Sequence, residues 1–142
     1  MLLENKDALI GDSHQVYAEL FCEVNYIEGK ILFSINNYER AIEKYREVTD
    51  FSMEGANVDI IRANALANMG STRCMSANFE AALGHTKEGE DLLIKCKTEP
   101  EKLHLVRYRI KKCATLKKGN HFKESRALLE QLHTEVVHAV KK

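Results

Sequence analysis

The sequence predicts an all-α fold of three antiparallel helical hairpins, and three observations lead there. One motif recurs three times, at intervals of 41 and 43 residues. The apolar residues inside a copy follow a helical period. One Pro and seven Gly in 142 residues leave little punctuation for a turn-rich β fold. The length suits one domain, and 44% hydrophobic residues suffice for a continuous core.

The motif is carried by Asn37-Tyr38, Asn78-Phe79 and His121-Phe122. Three residues after each aromatic stands a small side chain, Ala41, Ala82 or Ser125, which lets two helices approach closely. Tyr45, Thr86 and Leu129 follow one turn later. Nine residues before each aromatic comes a second small position, Gly29, Gly70 or Cys113, where the preceding helix would meet its mate. Tyr38, Ala41, Ile42, Tyr45 and Val48 form one stripe on a 3.6-residue period.

The expected helices run over 13–35, 37–53, 57–76, 78–96, 99–118 and 120–140. Ser13, Asn37, Asn57, Asn78 and Asn120 stand where N-caps are needed, and Pro100 fits a first turn after Thr98. Residues 1–12 read as a leader or capping helix stopped by Gly11, and 13–142 as the repeat domain, with repeats at about 13–53, 57–96 and 99–140. Such an array can continue in a longer chain, since each unit is closed only by its neighbours.

Charge is unevenly placed although the net charge is zero. Residues 1–60 hold 12 acidic and 5 basic side chains, net −7; residues 61–142 hold 9 and 16, net +7. This dipole permits weak head-to-tail self-association. No stretch approaches the roughly 18 apolar residues of a membrane span, and the acidic start is unlike a signal peptide. Cys22, Cys74, Cys96 and Cys113 make no C-x-x-C and read as reduced, packed thiols, so a cytoplasmic location is expected.

The repeat pattern resembles tetratricopeptide repeats over residues 13 to 140. The usual unit has about 34 residues; the longer spacing here, with Ala67-Asn68-Met69-Gly70 before a hairpin turn, is similar to kinesin light chains, rapsyn and the spindle-orienting adaptors rich in Leu-Gly-Asn repeats. The resemblance implies a right-handed α-solenoid acting as an adaptor or scaffold, with a concave groove for a partner's peptide. It places in that groove Glu23, Tyr26, Ile27, Lys30 and Phe33, then Asn64, Asn68, Ser71 and Met75, then Arg107, Lys111, Ala114, Lys117 and Lys118. The expected peptide-binding set is Asn68, Arg107, Lys111, Lys30, Asn64, Tyr26 and Lys117, and the expected ligand is acidic. Related co-chaperones hold a carboxyl-terminal tail with a Lys, Asn, Asn, Lys and Arg clamp. Asn68, Arg107 and Lys111 match three of its places, whereas Tyr26 and Lys30 depart from the other two.

No catalytic residue, cofactor site or metal site is expected. The glycines are isolated, no phosphate-binding loop is present, and His133 and His138 lie five apart, about 140° around a helix. Two alternatives stand beside the peptide-binding adaptor. One is the peptide-sensing repeat domain of a larger regulator, by resemblance to bacterial regulators with similar repeats. The other is nucleic-acid or acidic-surface binding through the run from Val106 to Lys123, which holds seven Lys and Arg and no acid. Nucleic acid is disfavoured because only Tyr108 and Phe122 could stack on bases, and Phe122 belongs to the repeat motif.

Overall fold

A computed structural model describes residues 2–52, 55–95 and 99–141, with side chains described from residue 14 onward except at 56 and 99–101. Six helices follow one another: α1 (Leu2–Ser34), α2 (Tyr38–Thr49), α3 (Ala56–Met75), α4 (Phe79–Ile94), α5 (Glu99–Lys118) and α6 (Phe122–Val140). There is no strand among the described residues. Each helix packs on the next in the chain, and α3 also touches both α1 and α5.

One turn is built three times. Asn36, Ala77 and Asn120 each adopt a left-handed conformation, with φ of 64°, 58° and 64°. Behind each, the next N–H donates five residues back, from Asn37 to the Leu32 carbonyl, Asn78 to Arg73 and His121 to Leu116. The left-handed residues donate three back, to Phe33, Cys74 and Lys117. This pair of bonds satisfies the last carbonyls of α1, α3 and α5 and reverses the chain. Asn37 and Asn78 then cap α2 and α4, their side chains accepting from the Arg40 and Ala81 N–H groups.

Three expected caps are corrected. Asn120 is the left-handed residue, so His121 takes the cap of α6 without a side-chain bond. Gly55, not Asn57, precedes α3. Ser13 lies inside α1, which also runs through Gly11, so residues 2–12 are the first turns of α1 rather than a separate leader. An isolated Gly costs a helix only about 1 kcal/mol, too little to end one of this length. Pro100 sits in the first turn of α5 as expected, while Thr98 and Cys96 lie outside the described residues.

The small positions of the motif lie at close contacts between neighbouring helices. A Cβ on Gly29 would run into the Tyr45 ring, and one on Gly70 would stand 2.8 Å from Thr86 Oγ1 and 3.1 Å from the Ala82 carbonyl oxygen. In the third copy Ser125 Oγ donates to the Cys113 carbonyl at 2.8 Å. Around these crossings Cys22, Ile42, Tyr45 and Val48 close on Val58, Ala65, Leu66 and Met69. A second cluster joins Ala63, Ala67 and Leu93 to Tyr108, whose hydroxyl donates to the Thr86 carbonyl at 2.8 Å. Burial raises the thiol pKa values of Cys22, Cys74 and Cys113, as expected for packed thiols.

Candidate peptide-binding face

The contact of α3 with both α1 and α5 creates a face on which side chains from three helices meet. Tyr26 and Lys30 come from α1, Asn64 and Asn68 from α3, and Lys111 from α5. Because residues four apart share a helix face, each pair arrives together. Asn68 Nδ2 donates to Tyr26 Oη at 3.0 Å. The Lys30 ammonium stands over the Tyr26 ring, 5.5 Å from its centre, within cation–π range. Lys111 Nζ donates to Asn64 Oδ1 at 3.3 Å. Five of the seven expected residues thus form one cluster.

Electrostatically the cluster is one-sided. Lys111 has its pKa lowered by burial and then by the charge of Lys30, two effects that both disfavour an ammonium. Neither Lys30 nor Lys111 pairs with a carboxylate among the described residues. On the other side of α5 the situation is reversed, since Arg109 and Lys112 both reach Glu90 of α4, at 3.5 and 3.2 Å. The helix therefore neutralises its cations toward α4 and leaves them uncompensated toward α1 and α3.

Beside the cluster lies a cavity of about 270 Å³ lined by Lys30, Phe33, Ser34, Tyr45, Asn68, Ser71 and Lys118. Lys118, rather than the expected Lys117, completes the basic side. Seven residues bring Lys118 within about 20° of Lys111 on the helix, whereas six put Lys117 about 120° away. Arg107 is exposed one turn before Lys111 and bonds no described residue. Ser34 and Tyr45 join the site without a sequence signal: Ser34 closes α1 and Tyr45 projects from α2 beneath Gly29.

Two expectations about side chains are corrected. Tyr108 is 2% exposed with its hydroxyl bonded, so it offers no stacking surface, whereas Phe122 is 60% exposed instead of committed to the core. Asn68 is half-buried and one of its amide donors is taken by Tyr26. Among the described residues no group of three His, Cys, Asp or Glu could hold a metal ion, and no helix is long and apolar enough to cross a membrane. Comparison of the chain with known protein families, curated proteins and solved structures finds no match.

Proposed function

We propose that the six helices are three tetratricopeptide-type hairpins of a right-handed α-solenoid, and that the α1–α3–α5 face holds an acidic peptide segment of a partner protein. On this reading the chain is an adaptor or scaffold module and not an enzyme. One observation carries it: Lys30, over the Tyr26 ring, and Lys111, bonded to Asn64, stand on one face, and neither pairs with a carboxylate among the described residues. A peptide carboxylate supplies that missing charge. Asn64 and Asn68 line the same face and offer amide donors and acceptors to a peptide backbone. Arg107 can grip a second carboxylate with two parallel N–H bonds, which a Lys cannot do.

The basic run of α5 favours a peptide over nucleic acid because Arg109 and Lys112 are already paired and Tyr108 is buried. The test is fluorescence anisotropy with a labelled peptide of alternating Glu and Leu, its Gln counterpart, and a DNA duplex. A charge-assisted hydrogen bond contributes about 1.5–3 kcal/mol, so Lys111→Glu should weaken the Glu peptide by roughly 10- to 150-fold or more. Equal binding of the Gln peptide, or tighter binding of the duplex, would overturn the assignment.

A further inference from the structure

The two ends of the helix array carry complementary unpartnered faces. On α1, Tyr17, Leu20 and Val24 are 71%, 44% and 57% exposed, on a spacing that puts them along one stripe. At the other end, Ile110, Leu129, Leu132 and Val136 line an apolar groove of about 570 Å³ between α5 and α6. Leu132 is buried at the floor of the groove, while Ile110, Leu129 and Val136 around it are exposed, as are the three α1 residues.

The internal packing identifies what fits them. Moving 41 residues along the chain takes Tyr17, Leu20 and Val24 to Val58, Ile61 and Ala65, the α3 residues that pack with Tyr45 and Val48 of α2. Moving a further 43 takes Ala65 to Tyr108, which packs on α3 and α4 at Ala67, Gly89 and Leu93. The receiving side obeys the same steps. Thr86, Gly89 and Leu93, the α4 residues that meet Tyr108, become Leu129, Leu132 and Val136 of the open groove. Phe122 fits the pattern too, since its counterpart Phe79 lies against the turn at Gly119 of the following helix while Phe122 has no such cover among the described residues. An interface that occurs twice inside the chain is thus present as two separated halves, one at each end.

Resting on the repeat reading but not on peptide binding, we propose that copies of this chain stack head to tail, the exposed face of α1 in one copy seating in the α5–α6 groove of the next. Net charge favours this pairing over one between two α1 helices. The α1 sequence holds six acidic and two basic residues, so two copies of it repel, whereas α5 holds two acidic and seven basic. Two of those cations, Arg109 and Lys112, are already paired with Glu90, and Glu130 of α6 also lines the groove, so the attraction is the smaller part of the fit and the apolar faces the larger. The contact uses different surfaces on the two copies, so it builds a ring or an open chain of more than two copies rather than a two-fold dimer.

Sedimentation of the full chain and of two variants tests this. Leu20→Glu/Val24→Glu spoils the α1 face and Leu129→Glu/Val136→Glu spoils the groove; Glu is used in both so that the altered faces repel each other. All four positions are exposed, and far-ultraviolet circular dichroism checks the helices; if a double variant unfolds, Tyr17→Glu or Val136→Glu alone replaces it. The wild type should grow beyond a dimer as concentration rises, each variant alone should sediment as a monomer, and an equal mixture of the two should form a dimer and nothing larger. A monomeric wild type, self-association of either variant to the wild-type extent, or a mixture that stays monomeric would overturn the proposal.

Discussion

Replacing Gly70 with Ala tests whether α3 and α4 cross where the structure puts them. In an unobstructed helix the change stabilises by about 0.8–1 kcal/mol, because Ala loses less backbone freedom on folding. Gly84, on the exposed side of α4, is such a site, with nothing within 4 Å of an added Cβ. At Gly70 the same methyl would meet Thr86 Oγ1 at 2.8 Å and the Ala82 carbonyl oxygen at 3.1 Å. Thr86 cannot easily turn away, being 1% exposed and bonded through its hydroxyl to that same carbonyl at 2.8 Å. The helices must therefore part, and overpacking of this kind costs about 1–3 kcal/mol. Since the propensity gain is common to both variants, Gly84→Ala should exceed Gly70→Ala by about 1–3 kcal/mol in stability. Urea unfolding followed by circular dichroism reads this as a difference in midpoint at unchanged slope. If Gly70→Ala gains as much as Gly84→Ala, the close crossing is wrong, and with it the reason for small residues at 29, 70 and 113.

Other outcomes follow from single contacts. Tyr108→Phe should cost about 0.5–1.5 kcal/mol by removing the bond to the Thr86 carbonyl. Gly89→Ala, whose Cβ would collide with the Tyr108 hydroxyl oxygen, should cost less when combined with Tyr108→Phe than alone, and additive effects in a double-mutant cycle would deny the contact. Ala77→Gly should stabilise, because Ala pays about 1–2 kcal/mol to sit at a left-handed φ; the thermal midpoint should rise, and a fall would contradict the turn geometry. Peptide binding should be pH-dependent at the alkaline end: burial and Lys30 lower the Lys111 pKa, and a bound carboxylate favours its charged form, so binding takes up protons and affinity falls as pH rises through that lowered range. Lys111→Arg, which stays charged, should flatten that part of the profile.

How far the sequence could be read depended on how local the signal was. The helix near 38–49 was legible from its apolar stripe, whereas those over 99–118 and near 57–76 were legible from the repeat spacing and the turn residues that bound them. Caps were less so, since Asn serves equally well as a left-handed terminator and as an N-cap; in Asn36-Asn37 both roles are filled by Asn, whereas in Asn120-His121 the first role claims it. Spacing puts Tyr26 with Lys30 and Asn64 with Asn68, but that these pairs and Lys111 share one face was an implication of the resemblance to tetratricopeptide repeats. What neither could supply was their pairing. That Asn68 spends a donor on Tyr26, and that Lys118 replaces Lys117 at the cavity, depends on the rotation of α1 and α5 about their own axes when packed on α3. For the same reason Asn68→Ala should lower stability modestly as well as binding, by about 0.5–1.5 kcal/mol for the lost bond.

The most direct measurement of the central claim is a nuclear magnetic resonance titration of the labelled chain with the Glu-Leu peptide. Side-chain amides of Asn64 and Asn68 and the ammonium groups of Lys30 and Lys111 report the α1–α3–α5 face, while the backbone amides of Arg126 and Glu130 report the exposed side of α6. Saturable shifts are expected at the four groups of the face, with little change on α6, and they should be lost in Lys30→Glu/Lys111→Glu with the rest of the spectrum intact. Shifts centred elsewhere, or a double variant that binds as the wild type does, would contradict the claim and leave the uncompensated lysines as no more than a solvated surface.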